Sequence, residues 1–166
     1  QCPWHQFQPA QGLFTVCEEN LCGWIAQPSN TWSNVGFLVA AYFIFRNSRG
    51  NQQLLDKVFI ILPIGLFLGS MSFHITATRV GQILDIAAIY LLSGALLTFS
   101  LQRLLNMNRN FTFWCFALLV LGPLAHMIWA HTPGIKALIA LFLISLTIEF
   151  WLWMKEKTKN FAQLMK

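Results

Sequence analysis

Apolar residues fall into long blocks along the 166-residue chain, and most blocks are close to the roughly 20 residues that a helix needs to cross a bilayer. Backbone groups inside lipid must be hydrogen-bonded within helices or a closed barrel, and the blocks are too long, and lack the alternation, for barrel strands. We therefore predict an all-α, polytopic membrane helix bundle. Its five or so transmembrane helices are expected at 29–45, 58–77, 83–101, 111–130 and 137–154.

The polar stretches that flank these blocks divide the chain into three regions. Residues 1–28 are predicted to be an extramembrane N-terminal segment, 29–154 the transmembrane domain, and 155–166 a cytoplasmic basic tail. The N-terminal segment does not have the features of a signal peptide, because it lacks a basic start and an apolar core and carries Glu18 and Glu19. The first span is the weakest of the five, since its opening half is polar.

Charge is sparse and unevenly placed. Only 10% of the residues are charged and 56% are hydrophobic, which argues against an ordinary water-soluble domain. Basic residues cluster after spans one, three and five, whereas the other two loops hold one each, Arg79 and Lys136. Because cytoplasmic loops are enriched in Lys and Arg, we predict the N-terminus outside and the C-terminus inside. The net charge of +5 then reflects orientation, and no nucleic-acid partner is expected.

Ionisable residues inside a membrane are costly, so each one is a functional candidate. Ser70 and His74 are four residues apart and share a helix face, and Asp85 opens the next span across a short loop. In the predicted orientation all three lie near the outer membrane face. They could form a hydrogen-bonded packing cluster, a metal site at His74 or a nucleophilic triad. Metal ligation ranks above the triad, because no strand-to-helix elbow exposes Ser70.

Three cysteines, Cys2, Cys17 and Cys22, precede the first span. In an oxidising compartment a disulfide can form between two of them, and the odd number leaves one over. No C-x-x-C pattern indicates a structural zinc site.

Two stretches of the sequence resemble the alkaline ceramidases and their bacterial relatives. The first is CEEN at 17–20 followed by IAQPSNTWSN at 25–34, similar to the family's CEEN or CER before A-E-P/F-x-N-x-x-S-N. The second is GSMSFHITATR at 69–79 with Asp85 downstream, similar to G-S-x-x-F-H-x-T and a later Asp. The resemblance implies part of a seven-helix bundle, in the membrane-hydrolase superfamily that includes adiponectin-type receptors.

The same resemblance implies a chemistry. In this family a zinc ion held by three histidines activates water, which attacks the amide carbonyl of ceramide and releases sphingosine and fatty acid. By that likeness His74 is a zinc ligand, Ser70 supports the zinc site and stabilises the oxyanion, and Asp85 shuttles protons. The implied partners are the lipid bilayer and a ceramide-like substrate. The implied location is a bacterial inner membrane, with the site facing the periplasm.

The zinc site departs from the family pattern. The family's other two zinc ligands form an H-x-x-x-H pair on the last helix, and no His follows residue 131 here. We therefore expect the chain to lack the last two helices, unless His126 or His131 supplies the missing ligands. These two end span four at the outer face, but five residues turn roughly 140° on a helix. Both can reach one metal only if the helix unwinds near Pro133.

The calcium site of the family is also altered. Glu18 and Asn20 match its N-terminal ligands, but Gln27 replaces the acid of the A-E motif, and Thr15 stands where the eukaryotic enzymes have an Asp. Because calcium prefers six to eight oxygen ligands that include carboxylates, the loss of two charges predicts weak calcium binding at most.

Three functions are left open by the sequence. The leading interpretation is a zinc-dependent membrane amidohydrolase that cleaves ceramide-like lipids to a sphingoid base and fatty acid, or an N-terminal portion of one. A related lipid esterase or phospholipase would apply the same chemistry to an ester. A non-catalytic transporter or scaffold would use His74 and Asp85 as a buried proton or packing pair, and the missing H-x-x-x-H pair favours it.

Overall fold

A computed structural model describes residues 2–10, 18–48, 54–130 and 135–164, and within these ranges the protein is helical without strands. The predicted all-α fold is thus confirmed. The helices are α1 (Pro28–Ser33), α2 (Val35–Asn47), α3 (Leu54–Thr76), α4 (Arg79–Leu105), α5 (Arg109–Ala130) and α6 (Ile135–Leu164).

Three of these helices are long and apolar enough to cross a membrane, counting only the described part of the chain. They cover Lys57–Thr76 in α3, Arg79–Leu105 in α4 and Lys136–Lys157 in α6, and so correspond to the second, third and fifth predicted spans. The predicted first span is divided at Asn34 between α1 and α2, and α2 has 13 residues. The predicted fourth span coincides with α5. The total of five spans and the orientation stay predictions.

Helix α4 lies at the centre of the bundle and packs against α3, α5 and α6, while α1 and α2 pack on α3. Its buried side chains include Ile86, Tyr90 and Leu97, which form the core with residues of α5 and α6. At one end of the bundle, the Glu149 carboxylate accepts hydrogen bonds from Ser100 and Arg103, each 2.8 Å long, and so links α6 to α4. The candidate chemistry lies at the other end.

A tight turn joins α3 to α4 at that other end. Helix α3 ends at Thr76, Ala77 adopts a left-handed conformation with φ of 49°, and Thr78 caps α4 by accepting a hydrogen bond from Gly81 N at 3.3 Å. The Thr76 and Thr78 hydroxyl oxygens are also 2.8 Å apart, which braces the turn. We call the end of the bundle around Ala77 the turn end.

The N-terminal segment folds over the turn end. Its backbone is hydrogen-bonded there, from Arg79 N to Gln8 O at 2.8 Å and from Ala26 N to Ile75 O at 2.9 Å. A disulfide between Cys2 and Cys22 closes the segment on itself, and this is one of the pairings that the sequence left open. Cys17 lies outside the described residues. This packing brings residues far away in sequence against the last turn of α3.

Helices α3 and α4 approach almost backbone to backbone. A Cβ atom at Gly69 would lie 2.7 Å from the Leu84 carbonyl oxygen, and one at Gly81 would lie 2.8 Å from Phe73 Cα. Small residues permit such close crossings of membrane helices. The close approach allows side chains on α3 to reach α4.

Gly69→Ala is therefore expected to separate α3 from α4. Overpacking of this kind typically lowers the free energy of unfolding by about 1–3 kcal/mol. Gly65, one turn earlier on α3, has nothing within 4 Å of an added Cβ, so Gly65→Ala is the matched control. Thermal unfolding in detergent, followed by circular dichroism, should show a lower midpoint for Gly69→Ala alone. Equal midpoints for the two variants would contradict the close packing.

Candidate functional site

Ser70 and Asp85 are brought together at the crossing of α3 and α4. Ser70 is 7% exposed, and its side chain hydrogen-bonds the Asp85 carboxylate. The other carboxylate oxygen, Oδ1 of Asp85, is buried and has no hydrogen-bond partner within the described ranges. One oxygen of Asp85 is thus oriented by the serine, and the other is left for a further donor.

His74 lies one turn beyond Ser70 on α3 and is half-buried. Its Nδ1 atom is 2.5 Å from Oε1 of Gln27. The sequence-based interpretation as a nucleophilic triad does not fit these contacts, because in a triad the serine hydroxyl donates to the histidine. The side chain of Ser70 hydrogen-bonds Asp85 instead.

Gln27 is buried to 1% exposure and is held on every side. Its backbone N–H donates to the His74 carbonyl at 3.0 Å, and its side-chain Nε2 donates to Asn20 Oδ1 at 2.6 Å. Its Oε1 accepts from Asn30 Nδ2 at 3.2 Å, in addition to its contact with the histidine ring. The glutamine connects the N-terminal segment directly to the candidate metal ligand.

Glu18 fastens the start of α1 beside this network. Its two carboxylate oxygens accept hydrogen bonds from the backbone N–H groups of Ser29 at 2.9 Å and Asn30 at 2.8 Å. The N–H of Asn30 contributes most to holding the pKa of Glu18 below its ordinary value. The carboxylate is therefore charged at neutral pH and satisfies two of the free N–H groups in the first turn of α1.

The residues expected to bind calcium do not fit that ion in this arrangement. Glu18 supplies one carboxylate and Asn20 one amide oxygen, and these oxygens also accept N–H donors. Gln27 directs an N–H group, not an oxygen, toward Asn20. A calcium ion needs six to eight oxygens, so no step is derived through calcium.

His74 fits a zinc ligand, since a metal-bound histidine usually donates its second ring N–H to a neighbouring acceptor. Across the described ranges, no group of three His, Cys, Asp or Glu residues could hold a metal ion. His126 is exposed on α5, and His131 lies outside the described residues. His74 is therefore a candidate metal ligand, and the described residues do not complete a site of three around it. Substitution by His126 or His131 stays a prediction.

Two residues have a different place from the one that sequence reasoning gave them. Gln27 appeared only as the loss of a calcium ligand, whereas it is the hydrogen-bond partner of His74. Arg79 was counted as a loop charge, but it is 7% exposed and donates to Gln82 Oε1 at 2.7 Å. Its place three residues after the His-x-Thr motif was the available signal.

The fold and the site together define a helical membrane protein with a buried Ser–Asp pair and a histidine that the N-terminal segment contacts. A family model described as Ceramidase matches residues 10–166, and the chain belongs to this family. No curated protein and no solved structure matches the chain. Family membership confirms the resemblance and supports a membrane enzyme that hydrolyses ceramide-like lipids.

Proposed function

We propose that the chain is the Ser70, His74 and Asp85 part of a zinc-dependent amidohydrolase that cleaves ceramide-like lipids to a sphingoid base and a fatty acid. The observation that carries the proposal is the buried Ser70–Asp85 hydrogen bond, one helical turn from a histidine that is itself oriented by Gln27. The site lies at the periplasmic face of a bacterial inner membrane in this proposal.

Asp85 is the proton-transfer group in the proposed reaction. Amide hydrolysis requires a base for the attacking water and an acid for the leaving amine, and one carboxyl group can serve both steps in turn. The Oδ1 atom of Asp85 is buried and has no described partner, so it is available to accept that proton. Ser70 holds the other end of the carboxylate in place.

His74 presents Nε2 as the metal-binding atom, because Nδ1 is bonded to Gln27. When bound, zinc supplies Lewis-acid polarisation of the amide carbonyl. An oxyanion role for Ser70 requires its hydroxyl to turn away from Asp85. In the proposed reaction Ser70 orients the Asp85 carboxylate, and the hydrogen bond between the two side chains supports this role.

Removal of zinc tests this function. The natural protein, purified in detergent, is assayed with a ceramide and with an ester lipid of matched chains. We expect the ceramide to yield sphingoid base and fatty acid, a strong chelator to abolish the reaction, and added zinc to restore it. Metal analysis should find about one zinc per active chain, as a single catalytic site requires.

Other outcomes of this assay would support a different function. Cleavage of the ester alone would assign the site to a lipid esterase. A folded protein that hydrolyses neither lipid, with or without zinc, would favour the transporter or scaffold interpretation. Zinc in a longer product of the gene, but not in this 166-residue chain, would mean that ligands beyond the chain complete the site.

A further inference from the structure

The side chain of Gln27 makes three mutually consistent contacts. Its Oε1 faces Nδ1 of His74 and Nδ2 of Asn30, and its Nε2 faces Oδ1 of Asn20. Exchanging the oxygen and nitrogen of this amide would place its NH2 group against the Asn30 NH2 group. It would also place its oxygen against the Asn20 oxygen. With the Asn20 and Asn30 amides oriented as they are, Gln27 presents an oxygen to the histidine.

An amide oxygen can only accept a hydrogen bond, so the proton between Gln27 and His74 belongs to the histidine Nδ1. A neutral imidazole has a single ring N–H, and Nε2 then keeps a free lone pair. Since Gln27 is buried and its Nε2 is bonded to Asn20, its amide cannot turn freely away from the ring. The N-terminal segment thus determines the tautomer of a residue on α3.

We propose that Gln27 is a positioning residue that holds His74 in the Nδ1–H tautomer, with the Nε2 lone pair available for the reaction. The catalytic role of Gln27 rests on the proposed function. The tautomer of His74 can be tested without it. Gln27 does not need to touch the substrate in this role. It fixes in advance the tautomer and the ring orientation of His74 that metal binding or proton transfer requires.

The tautomer is measured on metal-free protein in detergent at about pH 8, where an unperturbed imidazole is neutral. The protein is labelled with ¹⁵N-histidine, and the His74 signal is identified by its loss in His74→Asn. Ring nitrogen shifts and two-bond couplings distinguish the Nδ1–H form from the Nε2–H form. Wild type is expected to show the Nδ1–H form at His74.

Two substitutions at position 27 are compared. Gln27→Met removes the acceptor at similar side-chain length, and His74 is expected to change toward the Nε2–H form. Gln27→Glu keeps an acceptor oxygen, and His74 is expected to retain Nδ1–H. In the zinc-loaded enzyme, loss of such an orienting partner typically lowers activity 10–100-fold. Gln27→Met should show this decrease in kcat with little change in KM.

Asn20→Ala provides a second test that does not disturb the interior, because Asn20 is exposed. It removes the acceptor that holds Gln27 Nε2, so the His74 signals should show a mixture of tautomers. If Gln27→Met does not fold, Asn20→Ala alone tests whether Gln27 determines the tautomer of His74. Unchanged Nδ1–H signals in the folded variants would overturn the inference, even in an active enzyme. A tautomer change in a protein without hydrolysis would leave the inference standing and remove the proposed function.

Discussion

His74→Ala is expected to lower the rate of ceramide hydrolysis about a thousandfold or more. Metal-ion catalysis contributes several kcal/mol of transition-state stabilisation, and each 1.36 kcal/mol corresponds to about a tenfold change in rate. Removing the imidazole removes one of the proposed zinc ligands, so the zinc content should fall with the activity. The measurement is kcat/KM for a short-chain ceramide together with metal analysis.

His5→Ala is the matched control, because His5 is exposed in the N-terminal segment and its ring hydrogen-bonds the nearby Cys2 carbonyl. It should leave both activity and zinc content unchanged. His126→Ala addresses a separate question, since loss of zinc in that variant would show that α5 completes the site. Full activity of a folded His74→Ala protein would contradict the catalytic proposal. A lower unfolding temperature as the sole effect would favour a packing role.

The pairing of Ser70 with Asp85 could be predicted from the sequence because local rules determine it. The helical repeat places Ser70 and His74 on one face of α3, and the short connection through Ala77 forces α4 to return beside α3. Two consecutive apolar helices joined by so few residues pack side by side and run antiparallel. The glycines that let the two helices touch are in the sequence as well, but a crossing point cannot be read from glycine alone.

The partner of His74 could not be predicted, because it depends on a non-local contact. Gln27 is 47 residues away, in an irregular segment whose path is determined by a disulfide and by backbone hydrogen bonds to the turn end. Hydrophobic periodicity carries no information about such a segment. The surroundings of Arg79 also include a non-local contact, since its backbone N–H donates to the Gln8 carbonyl in the N-terminal segment.

The polar run PSNTWSN shows a different limit. It is predicted as the opening half of the first span, and in the structure all but its last residue forms the short helix α1, which packs on α3 and is followed directly by α2. Thr31 on this helix is fully buried despite its hydroxyl group. Polar residues weakened the prediction of a membrane span, yet two of them, Thr31 and Asn34, are buried against other parts of the protein, as polar groups within membrane proteins usually are. Amino-acid composition alone does not distinguish a helix that faces lipid from one that faces other protein segments.

Asp85→Asn is expected to lower kcat by about 10²–10⁴-fold, the usual contribution of a positioned acid–base group. The amide has the same shape but cannot take up or release the required proton, so KM and zinc content should change little. Thr98→Val on the same helix is the control, because the Thr98 hydroxyl donates within α4 to the Gly94 carbonyl at 2.6 Å.

Ser70→Ala should cause a smaller loss, because the carboxylate remains and only its orientation is released. Residues that act as one unit give non-additive effects, so Ser70→Ala should have almost no further effect in the Asp85→Asn background. Independent losses that multiply would mean that the serine acts on its own, as an oxyanion donor, with its hydroxyl turned away from Asp85. Kinetics of the two single variants and the double variant therefore decide between orienting a carboxylate and stabilising an oxyanion.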